Sequence, residues 1–160
     1  MESPIHFDLS KPCLILGGSN NQSEEAGFIR KLYRNHTWQA LRKSVRYEEI
    51  QNLRIFALSE KYGLLHESEV KAPYTARLVR RAIIPNIDVT LDELVSKIQY
   101  FSTMYQIQEA ICFGTEIQLT AIEMAGIKVT TIYPDDASEI MQSFYLTSYL
   151  EDLKKETPNV

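Results

Sequence analysis

Short apolar runs recur along this chain, each stopped by glycine, serine or a turn and each followed by a stretch with helical spacing. That alternation restricts the fold more than any other feature, because runs of this length are strands buried on both faces and the stretches between them are crossovers. Residues 13–16 (Cys13, Leu14, Ile15, Leu16) end at Gly17 and Gly18, residues 53–58 at Ser59, residues 110–113 at Gly114, and residues 128–132 at Tyr133. Between them the spacing predicts a helix over 22–34, with Ala26, Ile29, Leu32 and Tyr33 on one face and Glu24 and Glu25 at its start. A second helix is predicted over 37–50, carrying Trp38, Leu41 and Val45. Thr90 and Glu93 read as a capping box ahead of the stripe Leu91, Leu94, Val95, Ile98 and Phe101. Further helices are expected over 115–125, closed by Gly126, and over 136–156. The segment 60–89 is punctuated by Gly63, Pro73 and Pro85, is too long for an ordinary connection, and is expected to be functional or partly helical around 74–81. The predicted fold is a single α/β domain over 1–160, a mostly parallel open sheet with helices on both faces and the four runs as interior strands.

A length of 160 residues supports one domain with one sizeable core, and no internal repeat or linker divides it. With 44% apolar and 24% charged residues, a disordered chain and a disulfide-stapled scaffold are both excluded. The longest apolar run, 55–58, falls far short of a membrane helix, so no membrane partner is expected. No basic residue precedes Lys11, which speaks against a secretory signal. Cys13 and Cys112 lie in apolar runs with neither a CxxC partner nor nearby histidines. The expectation is therefore a reducing, cytoplasmic setting, with no metal and no cofactor. His6, His36 and His66 are isolated, His66 being best placed for chemistry, and the motifs of the well-marked hydrolase and metal classes do not occur.

The net charge of −4 is unevenly spread. Between Arg30 and Arg81 stand 12 Lys/Arg against 5 Asp/Glu, while the remaining residues hold 5 basic and 16 acidic ones. Either this segment forms a positive face that attracts phosphates, or it is ordinary helix solvation.

In parallel sheets ligands gather beyond the carboxyl ends of the strands, so the strand ends form the list of candidates. Gly17, Gly18, Ser19 and Asn20 join a strand to a helix: two glycines permit close backbone approach, and a helix start offers N–H groups to an anion. A purely structural turn is the other reading. Ser59, Glu60, Lys61, Tyr62 and Gly63 follow the second strand, with Pro73 and Tyr74 further on. Ser59 and Lys61 are candidate contacts to a phosphate or a sugar hydroxyl, and Lys61 is also a candidate proton donor. Tyr62 and Tyr74 have rings suited to stacking on a base, unless they simply pack the edge of the core. Thr115 reads first as a helix cap and Glu116 as a first-turn carboxylate. As site residues, Thr115 would contact ligand and Glu116 would be a general base or ribose acceptor in a pocket shared with Lys61. Tyr133, Pro134, Asp135 and Asp136 read as a helix start or a site wall.

The run Leu58-Ser59-x-Lys61-Tyr62-Gly63-Leu64, followed by Ala72-Pro73-Tyr74 and Leu78, resembles the signature of the YaaA-like proteins, and more closely that of small YaaA-related domains of bacteria and phages. The strong part of the likeness covers residues 54–78. It implies a compact α/β fold and a link to nucleic acids, since the larger members are associated with DNA binding and peroxide stress. Two features depart from the group. Its members usually carry a lysine-bearing turn after the first strand, where this chain has Gly17-Gly18-Ser19-Asn20, and the larger ones carry a helix-hairpin-helix insertion with no clear equivalent here.

Three functions follow as expectations. The first is a nucleotide- or nucleobase-recognising protein, with enzymatic nucleic-acid modification as its catalytic form. The second is a non-catalytic nucleic-acid-binding stress protein using the basic segment. The third is a phage-type protein that sequesters a small nucleotide signal. The acidic pI of about 5.4 disfavours extensive backbone binding to polynucleotide.

Overall fold

The computed structural model describes residues 11–44 and 53–156. Four strands run parallel: β1 (Cys13–Gly17), β3 (Arg54–Ser59), β8 (Glu109–Phe113) and β9 (Lys128–Thr130). With the antiparallel β4 (Gly63–His66) they form one open sheet in the order β4-β3-β1-β8-β9. Leu14 stands beside Ile55 on one side and Ile111 on the other, so β1 lies at the centre.

The period-two pleat sorts the strand side chains between two cores. Leu14, Leu16, Ile55, Ala57 and Phe113 face α1 (Ile29–Leu32), α2 (His36–Ser44) and α5 (Glu139–Glu156), packing on Leu32, Trp38, Leu41, Leu146 and Leu150. Cys13, Ile15, Phe56, Leu58 and Cys112 face α3 (Leu91–Tyr105) and α4 (Glu116–Met124), packing on Leu94, Ile98, Ala121 and Ile122. Both faces are covered, which is why these strands read as unbroken apolar runs. The α/β expectation holds: a mainly parallel five-stranded open sheet with helices packed on it.

Details of the expectation need correction. The strand 128–132 is not interior: β9 is an edge strand of three residues. The helix expected over 22–34 is only the four-residue α1. Before it, β2 (Gly27–Phe28) pairs antiparallel with β5 (Val70–Lys71), and Gln22 bridges to Tyr33. The amides of Ile29 and Arg30 donate to the carbonyls of Glu69 and Glu67, so this backbone is bonded across the molecule and a long helix cannot form. Around 74–81 the chain is strand, not helix: β6 (Arg77–Val79) runs parallel to β7 (Asp88–Thr90). Residues 63–66, expected to be irregular, form β4. Its turn needs Gly63, whose φ of +90° favours glycine. The helix expected over 37–50 is α2 as far as Ser44, and its predicted remainder, with Val45, lies outside the described residues, as does the N-terminal segment 1–10.

Among the described residues no helix is long and apolar enough to cross a membrane, and no group of His, Cys, Asp and Glu side chains is placed to hold a metal ion. Cys13 and Cys112 are free, buried thiols, and burial raises the pKa of both.

Candidate functional site

The chain leaves β1 for β3 on one side and later returns to β8 on the other, so the strand order reverses between β1 and β8. At such a reversal the connecting loops diverge and leave a crevice beyond the strand ends. A cleft of about 720 Å³ lies there, walled by Gly17, Gly18 and Ser19 after β1, by Gly114, Thr115 and Glu116 after β8, and by the start of α5. It brings together Gly17, Gly18, Ser19, Thr115, Glu116, Tyr133, Asp135 and Asp136, all of them candidates by the strand-end rule.

What holds the cleft open is a set of side-chain amides. Thr115 caps α4 by accepting from the Gln118 amide (3.3 Å), and Gln118 Oε1 accepts from the Thr115 N–H (2.9 Å). The same side chain donates through Nε2 to the Gly18 carbonyl (3.1 Å), tying the β8 loop to the β1 loop. Gln142, reaching in from α5, accepts from the Gly114 N–H and donates to the Gly114 carbonyl, both at 3.0 Å. Asn35 Nδ2 and the Trp38 indole both donate to the Gly17 carbonyl (3.3 and 3.2 Å). Asn35 Oδ1 is buried in the cleft wall with no hydrogen-bond partner among the described residues.

The glycines serve these side chains. A Cβ at Gly17 would sit 2.2 Å from Gln118 Oε1, one at Gly114 2.6 Å from the same atom, and one at Gly18 2.7 Å from the Tyr33 ring. The N–H of Gly18 donates to the Leu58 carbonyl (2.8 Å). The backbone amides of Gly18, Gly114 and Thr115 are therefore all engaged within the protein. None of these three is free to bind an anion.

Electrostatically the cleft is an acceptor. Glu116, Glu123, Asp135, Asp136 and Glu139 line it, and its described lining has no Lys, Arg or His. The Tyr133 hydroxyl is buried beside the Gly114 backbone, and burial pushes it up to about 12.

The second constellation adjoins the Gly18 side of this wall. Ser59 is fully buried and its hydroxyl accepts from the N–H groups of Lys61 (3.2 Å) and Tyr62 (3.0 Å), fixing the turn from β3 into β4. The Tyr33 and Tyr74 hydroxyls are hydrogen-bonded to each other, and Tyr74 packs edge-on to Tyr62 with ring centroids 5.3 Å apart. Burial raises the pKa of both Tyr33 and Tyr74. Lys61 lies in this group with Tyr62 and Tyr74, not in the lining of the cleft with Glu116. The pocket that Lys61 and Glu116 were expected to share is two neighbouring regions.

Asn20 turns away from both. Its Nδ2 donates to the Ala76 carbonyl and its Oδ1 accepts from the Ala76 N–H, each at 3.1 Å, so it clamps the 73–77 segment as a strand partner would. Gln22 Oε1 does similar work, accepting from the Tyr74 N–H (2.8 Å).

Sequence reading left Glu60 without a role. It is half-buried between the two regions: burial raises its pKa, a hydrogen bond from Gln118 opposes that rise, and its charge is felt by Tyr74. It is the carboxyl group that connects the cleft to the tyrosines.

The chain matches no protein-family model, no curated protein and no solved structure. Fold and function therefore rest on the residues themselves.

Of the basic segment, several members have structural work. Arg42 donates to the carbonyls of Arg30 and Tyr33, Arg54 is buried and donates to that of Lys11, and Arg77 pairs with Asp88. Arg46, which also contributes to the charge excess, lies outside the described residues.

Proposed function

We propose that this protein recognises a nucleotide or nucleobase at the carboxyl edge of its parallel sheet. The observation that carries the reading is the cleft at the strand-order reversal between β1 and β8, lined by carboxylates and by the unpartnered Asn35 Oδ1. A wall of acceptors suits a ligand that donates, such as the amino and ring N–H groups of a base or the hydroxyls of a ribose. The adjoining Tyr62 and Tyr74 rings add apolar surface against which a planar or sugar moiety can rest. Its resemblance to the YaaA-like group, carried by Ser59, Lys61, Tyr62 and Tyr74, supports the same ligand class.

If the site is catalytic, Glu60 is the strongest candidate for a proton-transferring group, because burial raises its pKa and it sits between cleft and tyrosines. The test is mass spectrometry of small molecules released on denaturing gently purified protein, followed by calorimetric titration with the compound found. A bound nucleotide or nucleoside is the expected result. Polynucleotide alone would favour the nucleic-acid-binding reading, and absence of binding to any base, nucleoside or nucleotide would overturn the proposal.

A further inference from the structure

Resting on the nucleotide reading, the question that remains is where the anionic part of such a ligand would lie. The usual answer for an open α/β sheet is the turn after the first strand. Here the Gly18 N–H is bonded to Leu58, those of Gly114 and Thr115 are bonded to glutamine side chains, and five carboxylates line the space in front of them. A phosphate in that cleft would meet repulsion with few donors to offset it.

On the other side of the β1 loop ammonium groups gather, with Glu60 the carboxylate that Tyr74 feels there. Lys71 Nζ lies 4.6 Å and Lys61 Nζ 5.2 Å from the centroid of the Tyr62 ring, and Lys61 Nζ lies 6.0 Å from that of Tyr74. Among the described residues neither ammonium has a carboxylate within ion-pair distance. Each gains from the Tyr62 ring, and an anion beside that ring would be attracted by both ammoniums. The backbone carriers are fixed. Lys61 N–H donates to Ser59 Oγ, the Lys61 carbonyl accepts from Lys97 Nζ (2.7 Å), and Lys71 stands in β5 opposite Gly27. A third ammonium, that of Lys97, is thus held against the same turn.

We propose that Lys61 and Lys71, gathered at the Tyr62 ring, form the anion subsite of this protein and take the phosphate of a ligand whose donor-bearing part enters the acidic cleft. Lys61 is then a binding group, and its partner is Lys71 rather than the Gly18 amide, which donates to the Leu58 carbonyl.

The experiment compares adenosine, adenosine monophosphate and inorganic phosphate by calorimetry against the full chain and its Lys61→Gln, Lys71→Gln and doubly substituted forms. Melting temperatures of all four proteins confirm that each is folded. The wild type should bind the monophosphate more tightly than the nucleoside, and each glutamine should lower monophosphate affinity about tenfold or more while leaving adenosine unchanged. Should the monophosphate bind equally well to the doubly substituted form, the subsite is wrong although the nucleotide reading stands. If inorganic phosphate binds to the wild type and not to the double variant, while neither adenosine compound shows any contribution from its base, the subsite stands and the nucleotide reading falls. No binding of any of the three probes overturns both.

Discussion

At Gly18 a missing side chain determines how two loops meet. A methyl group there would enter the Tyr33 ring, which is fully buried and hydrogen-bonded to Tyr74 through its hydroxyl, so the ring has nowhere to go. Gly18→Ala is expected to cost about 1–3 kcal/mol, the range for overpacking a closed site, read as a lower urea midpoint at unchanged slope. A variant as stable as the wild type would mean that Tyr33 yields and that the loop is less tightly set. This residue also shows how far the site was legible in advance. The glycine pair stood out as a strand end, and the structure does place it on the cleft wall. Its reason was not legible, because it lies in Tyr33 and in Gln118, a hundred residues away along the chain. Gln118 itself did carry a signal: it stands three residues after the cap Thr115, the spacing of a capping box. Gln142 and Asn35 carried none, since single amides on a helix and before one look like solvated surface.

Elements that carry a local signature, a cap or an unbroken apolar run, were readable, and those too short to show a period were not. The helices α3 and α4 announce themselves by Thr90 and Thr115 as caps, and β1, β3 and β8 by their apolar runs. The pair β2–β5 and the pair β6–β7 have two or three residues per strand and no periodicity to display. The second pair depends on one carboxylate. Asp88 accepts from the Arg77 guanidinium (2.8 and 2.9 Å) and from the N–H groups of Ile83 and Ile84 (2.9 Å each), and these contacts hold its carboxyl well below the usual carboxylate range. A depressed folded-state pKa contributes stability above the unfolded value of about 3.9, and that contribution is lost as the pH falls below it. Amide hydrogen exchange of Arg77 and Val79 should therefore quicken in acid relative to the rest of the sheet. In Asp88→Asn it should be fast already at neutral pH and gain nothing further from acid beyond the intrinsic change. Equal acid sensitivity in the two proteins would show that another group anchors this pair.

Across the described residues, part of the charge asymmetry has local uses: arginines that close backbone carbonyls, lysines beside tyrosines, and carboxylates around the cleft. The chain also has a single tryptophan, and it stands at a telling place. Trp38 is fully sequestered from water, donates to the Gly17 carbonyl at the cleft, and lies 5.6 Å from the Tyr33 ring that leads to the tyrosine group. The protein thus carries its own optical probe. Native emission should come from an indole in an apolar setting and shift to longer wavelength on unfolding, as the core around α2 opens. Occupancy of the cleft should alter its intensity through the shared Gly17 carbonyl without shifting it to the unfolded value. A change in this emission on titration, with no red shift, would therefore report a ligand felt at the Gly17 carbonyl of the cleft wall without any label being attached.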